Sequence, residues 1–246
     1  MTDAGSQRHP ARLSLLCCTV GRTDKLGRLL DSLALQTFRD FELVIVDQNE
    51  PGVLDPVLAP FADRLDIRHV RSARGLSRAR NVGLAHCRAP LVAFPDDDCW
   101  YPAALAERVA ALFDANPQAG VFTGRTVDAS GVDSLGLFLA ADAEITKSNV
   151  WLSGNSNSLF VRTDIARRIG GFDESLGVGA ASAFKSGEET DFLLRALATG
   201  AHGFYRRDLL VHHDQAPVGG ADGVARAQDY ARGFGRVLRL HDYGAP

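Results

Sequence analysis

Hydrophobic positions along the chain fall into short runs separated by stretches of helical period. Residues 13–20 (LSLLCCTV) are an apolar run of strand length that stops at Gly21. Over 24–36, Leu26, Leu29, Leu30 and Leu33 recur at three- and four-residue spacing, which predicts an amphipathic helix with Thr23 as its cap. Residues 42–47 (ELVIVD) repeat the strand pattern and close in the turn-forming 48–52. A helix near 53–63, a strand over 65–71, a helix near 75–86 and a strand over 90–95 (PLVAFP) follow. Strands alternating with helices predict an α/β fold, with a mostly parallel central sheet flanked by helices. In such a sheet ligands meet the carboxyl ends of the strands, where Thr19 to Arg22, Asp47 and Asp96 to Asp98 lie.

The pattern changes after residue 101. Pro102 suits the first position of a helix over 102–114, whose stripe is Leu105, Val109, Leu112 and Phe113. Short strands are expected at 120–127, near 135–140 and at 155–162, then a short helix at 163–169. A loop over 175–187, rich in Gly, Ala and Ser, leads to a helix at 188–199 and a last strand at 208–212. The expected organisation is a disordered leader (1–12), one domain (13–215) whose back part is smaller and mixed, and a helical tail (216–246) with its helix near 223–241.

Composition narrows the class. The chain has 246 residues, 46% hydrophobic and 23% charged, enough apolar material for one core. A formal net charge of −3 argues against a nucleic-acid partner held by bulk electrostatics. Cys17, Cys18, Cys87 and Cys99 make no Cys-x-x-Cys pair and read as small buried hydrophobes, with Cys17 and Cys18 on opposite faces of one strand. Residues 1–12 lack the apolar centre of a secretion signal, and no run approaches the ~20 residues of a membrane span. The expectation is a cytoplasmic protein without a transmembrane segment; peripheral contact with the inner face of a membrane stays open.

The densest chemistry is Asp96-Asp97-Asp98, directly after an apolar strand. In extended backbone Asp96 and Asp98 face one way and Asp97 the other. Two carboxylates on one side suit Mg²⁺ or Mn²⁺ and leave positions for phosphate oxygens; the competing reading is an acidic turn. Asp47 either accepts hydrogen bonds from a ribose or base edge or simply ends a strand, and no G-x-G-x-x-G follows the first strand. Of Arg71, Arg74, Arg78 and Arg80, the last, then Arg78, are the expected phosphate contacts; the alternative is a solvated helix face. Ser186-x-x-Glu189 fits a capping box, against a general base at Glu188 or Glu189. One of His212 and His213 should point inward; His212 is taken as a metal-ligand candidate beside Asp98 and Asp96. Trp100 and Trp151 either stack on a sugar ring or pack.

In this order, the segments resemble glycosyltransferase family 2, inverting enzymes of the GT-A fold, from about residue 13 to 213. Thr19-Val20-Gly21-Arg22 is similar to the family's nucleotide-contacting start, and VIVD ending at Asp47 to its second strand. GLSRARNVGLA (75–85) is similar to its Arg-Asn helix, FPDDDCWYP (94–102) to its D-x-D segment, and GGFDESLG and GEETDFLLR to its acceptor loop and acidic base motif. The resemblance implies metal-dependent transfer of a hexosyl group, with Mg²⁺ or Mn²⁺, from a nucleoside-diphosphate sugar to a saccharide, lipid-linked or other hydroxyl acceptor, in surface polysaccharide or glycoconjugate assembly. It implies nucleotide contacts at Thr19, Gly21, Arg22, Asp47, Arg78, Arg80, Asp96 and Asp97, and metal contacts at Asp98 and Asp96. Glu189 falls at the base position with Glu188 beside it, where the family commonly has Glu-Asp; Trp100, Trp151 and Asp191 are the acceptor-side candidates. The alternatives are a nucleotidyltransferase, whose Lys-bearing phosphate loop Gly21-Arg22 does not supply, and a nucleotide-sugar-binding module with a weakened base.

Overall fold

The computed structural model describes residues 11–215 and 221–244. Most of the expected leader, residues 1–10, and parts of the expected tail, 216–220 and 245–246, lie outside the described residues. The elements are β1 (Leu13–Thr19), α1 (Thr23–Ala34), β2 (Phe41–Asp47), α2 (Asp55–Leu58), β3 (Ile67–Arg71), α3 (Leu76–Leu84), β4 (Leu91–Ala93) and β5 (Cys99–Trp100). Then come α4 (Leu105–Ala115), β6 (Ala119–Val127), β7 (Ala143–Glu144), β8 (Leu159–Arg162), α5 (Thr163–Arg168), α6 (Glu188–Ala198), β9 (His202–His213) and α7 (Ala221–Leu240).

One curled sheet organises them. Its front half, β3-β2-β1-β4, is wholly parallel. Its back half is mixed: β8 lies antiparallel between β4 and β6, β6 runs parallel to β9, and β5 and β7 add antiparallel to β9. All of β1 and β2 are buried, as strands covered on both faces must be. Leu13, Leu15 and Cys17 face the leucine stripe of α1 together with Leu105, Val109 and Phe113 of α4. Leu16, Cys18, Val44 and Val46 face the other way, toward Ala79 of α3 and Phe192 of α6. The two adjacent cysteines therefore divide between the two faces. Gly83 lets α3 sit close: a Cβ there would lie 2.7 Å from Val46 Cγ2 and 2.8 Å from Leu16 Cγ.

Several expected elements are corrected. Residues 135–140 form no strand; Leu135 has φ +64° and Leu137 is exposed, and the pairing strand is β7, later in the chain. β9 begins at His202 rather than near 208, since Gly203 and Tyr205 alternate inward despite the polar Arg206-Arg207 that follow. Strand β8 starts at Leu159, after a 3-10 turn over Ser156–Ser158. The helix expected over 53–63 is the single turn α2 continued by a 3-10 turn, Ala59–Phe61. Thr23 caps nothing and is already helical. Helix α4 starts at Leu105, and the Pro102 and Ala103 carbonyls before it accept from Gln36 Nε2 and Thr37 N, just beyond α1.

Glu42, a buried acid near the start of β2, ties the sheet to the loop before β4. Its carboxylate accepts from Ser14 Oγ (2.7 Å), Arg88 N (2.5 Å) and Arg88 Nε (2.6 Å). Burial pushes its pKa up, but the Ser14 and Arg88 hydrogen bonds outweigh that and hold it below the usual range. A carboxyl with a depressed folded pKa stabilises above its unfolded value, near ~4.3, and loses that contribution as pH falls through the folded value. Glu42→Ala is expected to lose about 1–3 kcal/mol at neutral pH and to flatten the acid limb of stability; urea titrations across pH 3–7 measure both.

Candidate active site at the carboxyl ends of the parallel strands

β1 and β2 end in register, Thr19 opposite Asp47, and Asp96 makes a parallel bridge to Cys18 just beyond β4. The acidic run thus emerges beside the mouth of β1. Arg80 reaches it from α3. Its side chain is 2% exposed, with Nη2 3.3 Å from Asp96 Oδ1 and Nη1 3.3 Å from Glu188 Oε1. Its guanidinium also lies 5.0 Å from the ring centre of Phe172. Phe172 in turn stacks on Phe192 of α6 (4.5 Å) and meets the edge of Phe94 (5.0 Å), the residue that leads into the acidic run. This aromatic cluster brings 94–98 and the start of α6 together across a long sequence separation.

Arg22, at the β1–α1 turn, approaches from the opposite side. It pairs with Asp97 at 2.9 Å and with Asp98. Asp97 is buried, which pushes its carboxyl up to about 6 against the Thr19 hydroxyl and the Arg22 charge. Asp96 is likewise raised by burial, with Arg80 opposing. For Asp98 the balance reverses: burial alone would raise it, but the His213 hydrogen bond and Arg22 hold it below the usual range. His213 Nε2 lies 3.2 Å from Asp98 Oδ1.

The histidine at the cluster is therefore His213, and the expectation for His212 is corrected. β5 pairs with β9 so that Cys99 opposes His213 and Trp100 opposes His212. Alternation sends His213 toward Asp98 and His212 to the other face, stacked 5.1 Å from Trp100. Trp100 carries the Arg28 guanidinium 3.3 Å from its ring centre, so both neighbours of its ring come from the protein itself.

Asp47 is buried and fully engaged. Oδ1 accepts from Asn49 N and Nδ2, both 2.8 Å; Oδ2 meets His69 Nε2 (3.0 Å) and Arg71 Nη1 (3.1 Å). Asn49 Oδ1 also accepts from Gly21 N at 2.6 Å. Asn49 and His69, which the sequence did not point to, and Arg71, one of the four candidate arginines, are the groups that engage Asp47. Arg78 is exposed and pairs with Glu174 (3.2 Å), away from the acidic run. Arg74 precedes α3. A cavity of about 120 Å³ lies between the start of α3 and the 174–181 loop, with Arg74, Ser77, Arg78 and Glu174 in its wall.

The capping box is absent. Gly187, at φ +84°, is the N-cap of α6, no side chain caps the helix, and Ser186 Oγ donates instead to the Tyr230 carbonyl (2.8 Å). Glu188 is buried against Arg80. Glu189 is half-buried and receives no side-chain donor among the described residues. Burial and the adjacent Glu188 charge raise its pKa. Two acceptor-side candidates have partners within the protein. Asp191 is buried and taken by Arg195 (Nη2, 2.7 Å) and His241 (Nε2, 2.8 Å). Trp151 packs against Phe234 (5.5 Å) and Tyr243 (6.0 Å) of the C-terminal segment.

Among the described residues no group of three or more His, Cys, Asp or Glu side chains converges as a complete metal centre. The donor chemistry nonetheless fits a cation shared with a ligand. Asp98 and His213 stand together, Asp96 follows the same strand end, and Mg²⁺ is usually held by only one or two protein carboxylates plus phosphate oxygens. Five carboxyl groups, Asp96, Asp97, Asp98, Glu188 and Glu189, gather against Arg22, Arg80 and His213, and a cation relieves crowding of this kind.

Residues 14–166 match the family model described as Glycosyl transferase family 2. The chain belongs to this family. Similar curated relatives of this family 2 chain include a validoxylamine A glucosyltransferase from Streptomyces hygroscopicus subsp. jinggangensis, 35% identical over 37% of this chain and 23% of the relative. A pre-mycofactocin glycosyltransferase from Mycobacterium tuberculosis is 26% identical over 77% of this chain and 40% of the relative. The chain thus spans less than half the length of these relatives. Among solved structures, S. aureus TarS (residues 1–349) has the same fold, with TM-score 0.68 and 18% identity over 93% of this chain and 72% of that one. So has the mannosyltransferase PcManGT from Pyrobaculum calidifontis, with TM-score 0.68 and 17% identity over 94% of this chain and 65% of that one.

Because Arg80 is buried between two carboxylates, Arg80→Ala strands both charges in a desolvated setting. It is expected to destabilise the chain by about 3–5 kcal/mol in chemical denaturation. Arg80→Lys restores only part, since one ammonium cannot span both partners as the fork does.

Proposed function

We propose that this chain is an inverting, metal-dependent glycosyltransferase that moves a sugar from a nucleoside-diphosphate sugar to an acceptor hydroxyl. The observation that carries this reading is the division of labour at the start of α6. Glu188 is consumed by Arg80, while Glu189 receives no side-chain donor among the described residues and lies within electrostatic reach of Arg80 and Asp96. A general base must be unengaged and have a proton affinity near that demanded by the working pH, and the raised pKa moves Glu189 in that direction.

In the proposed reaction Glu189 takes the proton of the acceptor hydroxyl as that oxygen attacks the anomeric carbon. The bond to the diphosphate breaks on the opposite face, which inverts the centre. Arg22 and Arg80 flank the acidic run and are available to the charge that grows on the departing diphosphate. Asp98 and His213, with Asp96 beside them, would hold Mg²⁺ or Mn²⁺; when bound there, the cation neutralises diphosphate oxygens. Asn49 and Arg71, held in place by Asp47, are the proposed nucleoside contacts with Thr19 and Gly21. Support for the donor class comes from the relatives: PcManGT is described with GDP-Man and Mn²⁺, and TarS with UDP-GlcNAc. No helix among the described residues is long and apolar enough to cross a membrane. The proposed setting is surface polysaccharide or glycoconjugate assembly in the cytoplasm, at the inner membrane face.

Glu189→Gln is expected to lower turnover by about 10²–10⁴-fold while donor affinity stays within about twofold. The base acts when ionised, so wild-type turnover should rise with pH through a midpoint above the ordinary carboxylate value of ~4.3. Full rate in Glu189→Gln, with an unshifted pH profile, would remove the base assignment. In a thermal-shift panel of UDP and GDP, stabilisation should need Mn²⁺ and should vanish in Asp98→Asn. A full-sized shift without metal would count against the Asp98 site.

A further inference from the structure

Helix α7 grips the segment that launches α6. A Cβ on Gly233 would lie 2.4 Å from both the carbonyl oxygen and Oγ of Ser186, so the helix backbone rests directly on that residue. Val237 is fully buried, and a Cβ on Gly187 would come within 2.8 Å of its Cγ2. Ser186 Oγ donates to the Tyr230 carbonyl, and His241 Nε2 lies 2.8 Å from Asp191 Oδ1 in the first turn of α6. Arg236 covers Phe184 of the preceding loop at 5.5 Å, and Phe234 and Tyr243 pack on Trp151.

Most of these contacts fall on the stretch from Phe184 to Asp191, which contains the turn into Glu188. Gly187 sits in the left-handed region and α6 has no side-chain cap, so within α6 the turn is held by the backbone bond from Asp191 N to the Gly187 carbonyl (2.9 Å) and by no capping side chain. The packing of α7 supplies a further constraint. We infer that α7 and the residue after it form a positioning element for the reaction: Gly233, Val237 and His241 hold the Ser186-Gly187 turn and the first turn of α6 so that Glu188 meets Arg80 and Glu189 keeps its place by the acidic cluster. This rests on the reading of Glu189 as the base. A base is sensitive to placement, since a shift of about 1 Å can cost on the order of 10²-fold in rate.

The test uses the full chain with Gly233→Val, His241→Ala and His241→Gln, alone and combined with Glu189→Gln. Turnover is read as nucleoside diphosphate released from UDP- and GDP-sugars with an acceptor panel, donor binding by calorimetry with UDP or GDP and Mn²⁺, and placement by hydrogen exchange of the 187–191 amides. Gly233→Val and His241→Ala are expected to speed exchange at 187–191 and lower kcat by tenfold or more, with the nucleotide Kd within about twofold. His241→Gln, which can still donate to Asp191, should keep most of the rate. Neither damaging variant should lower the residual rate of Glu189→Gln further. Unchanged kcat despite faster exchange at 187–191 would overturn the inference while leaving the base in place, as would a loss of nucleotide binding in parallel with kcat. Full rate in Glu189→Gln alone would overturn the base reading and this inference with it.

Discussion

The buried guanidinium of Arg80 is the interaction around which the site is built. A cation taken out of water costs several kcal/mol unless carboxylates meet it with good geometry. Arg80 meets two, one from the loop after β4 and one from the first turn of α6. Neither acid has a reason to lie at that depth without it. The Phe94–Phe172–Phe192 cluster closes one side of the arrangement and lends a ring face to the guanidinium. Gly83, one turn along α3, allows the helix to come close enough to the sheet for Arg80 to reach both partners.

Around that bond the carboxylates are sorted by their neighbours. Asp98 stays ionised because His213 and Arg22 face it, whereas burial pushes Asp97 up despite Thr19 and Arg22. At the start of α6, Glu188 pairs with Arg80, and burial beside the Glu188 charge makes Glu189 hold its proton more tightly. Neighbouring titratable groups with environments that drive them apart are the pattern on which acid–base roles are built. The C-terminal helix belongs to the same construction, since it packs on the glycine that turns the chain into these glutamates.

Much of the front half was legible locally. The uninterrupted apolar runs of β1 and β2, the leucine stripe of α1 and the position of Asp96–Asp98 after a strand all follow from short-range periodicity and a parallel βαβ order. The back half was harder because its strands are short and their partners distant. The run at 135–140 is apolar yet loops, and the two residues of β7 gain strand geometry only from β9. The capping-box spacing at 186–189 was a real local signal, but Ser186 found a better partner in the Tyr230 carbonyl from far along the chain.

By itself, then, the sequence determined the βαβ order, the two-sided burial of the first strands and the set of acidic and basic residues that gather at their carboxyl ends. Tertiary structure alone decided which of them meet. The pairing of β5 with β9 chose His213 over His212, a one-residue parity that composition does not encode. The C-terminal segment engages Asp191 through His241 and packs on Trp151 through Phe234 and Tyr243, and the depth of α3 divided Arg80 from Arg78. The reason is physical: periodicity reports which face of an element is apolar, whereas a charge's partner and desolvation depend on atoms contributed from distant parts of the chain.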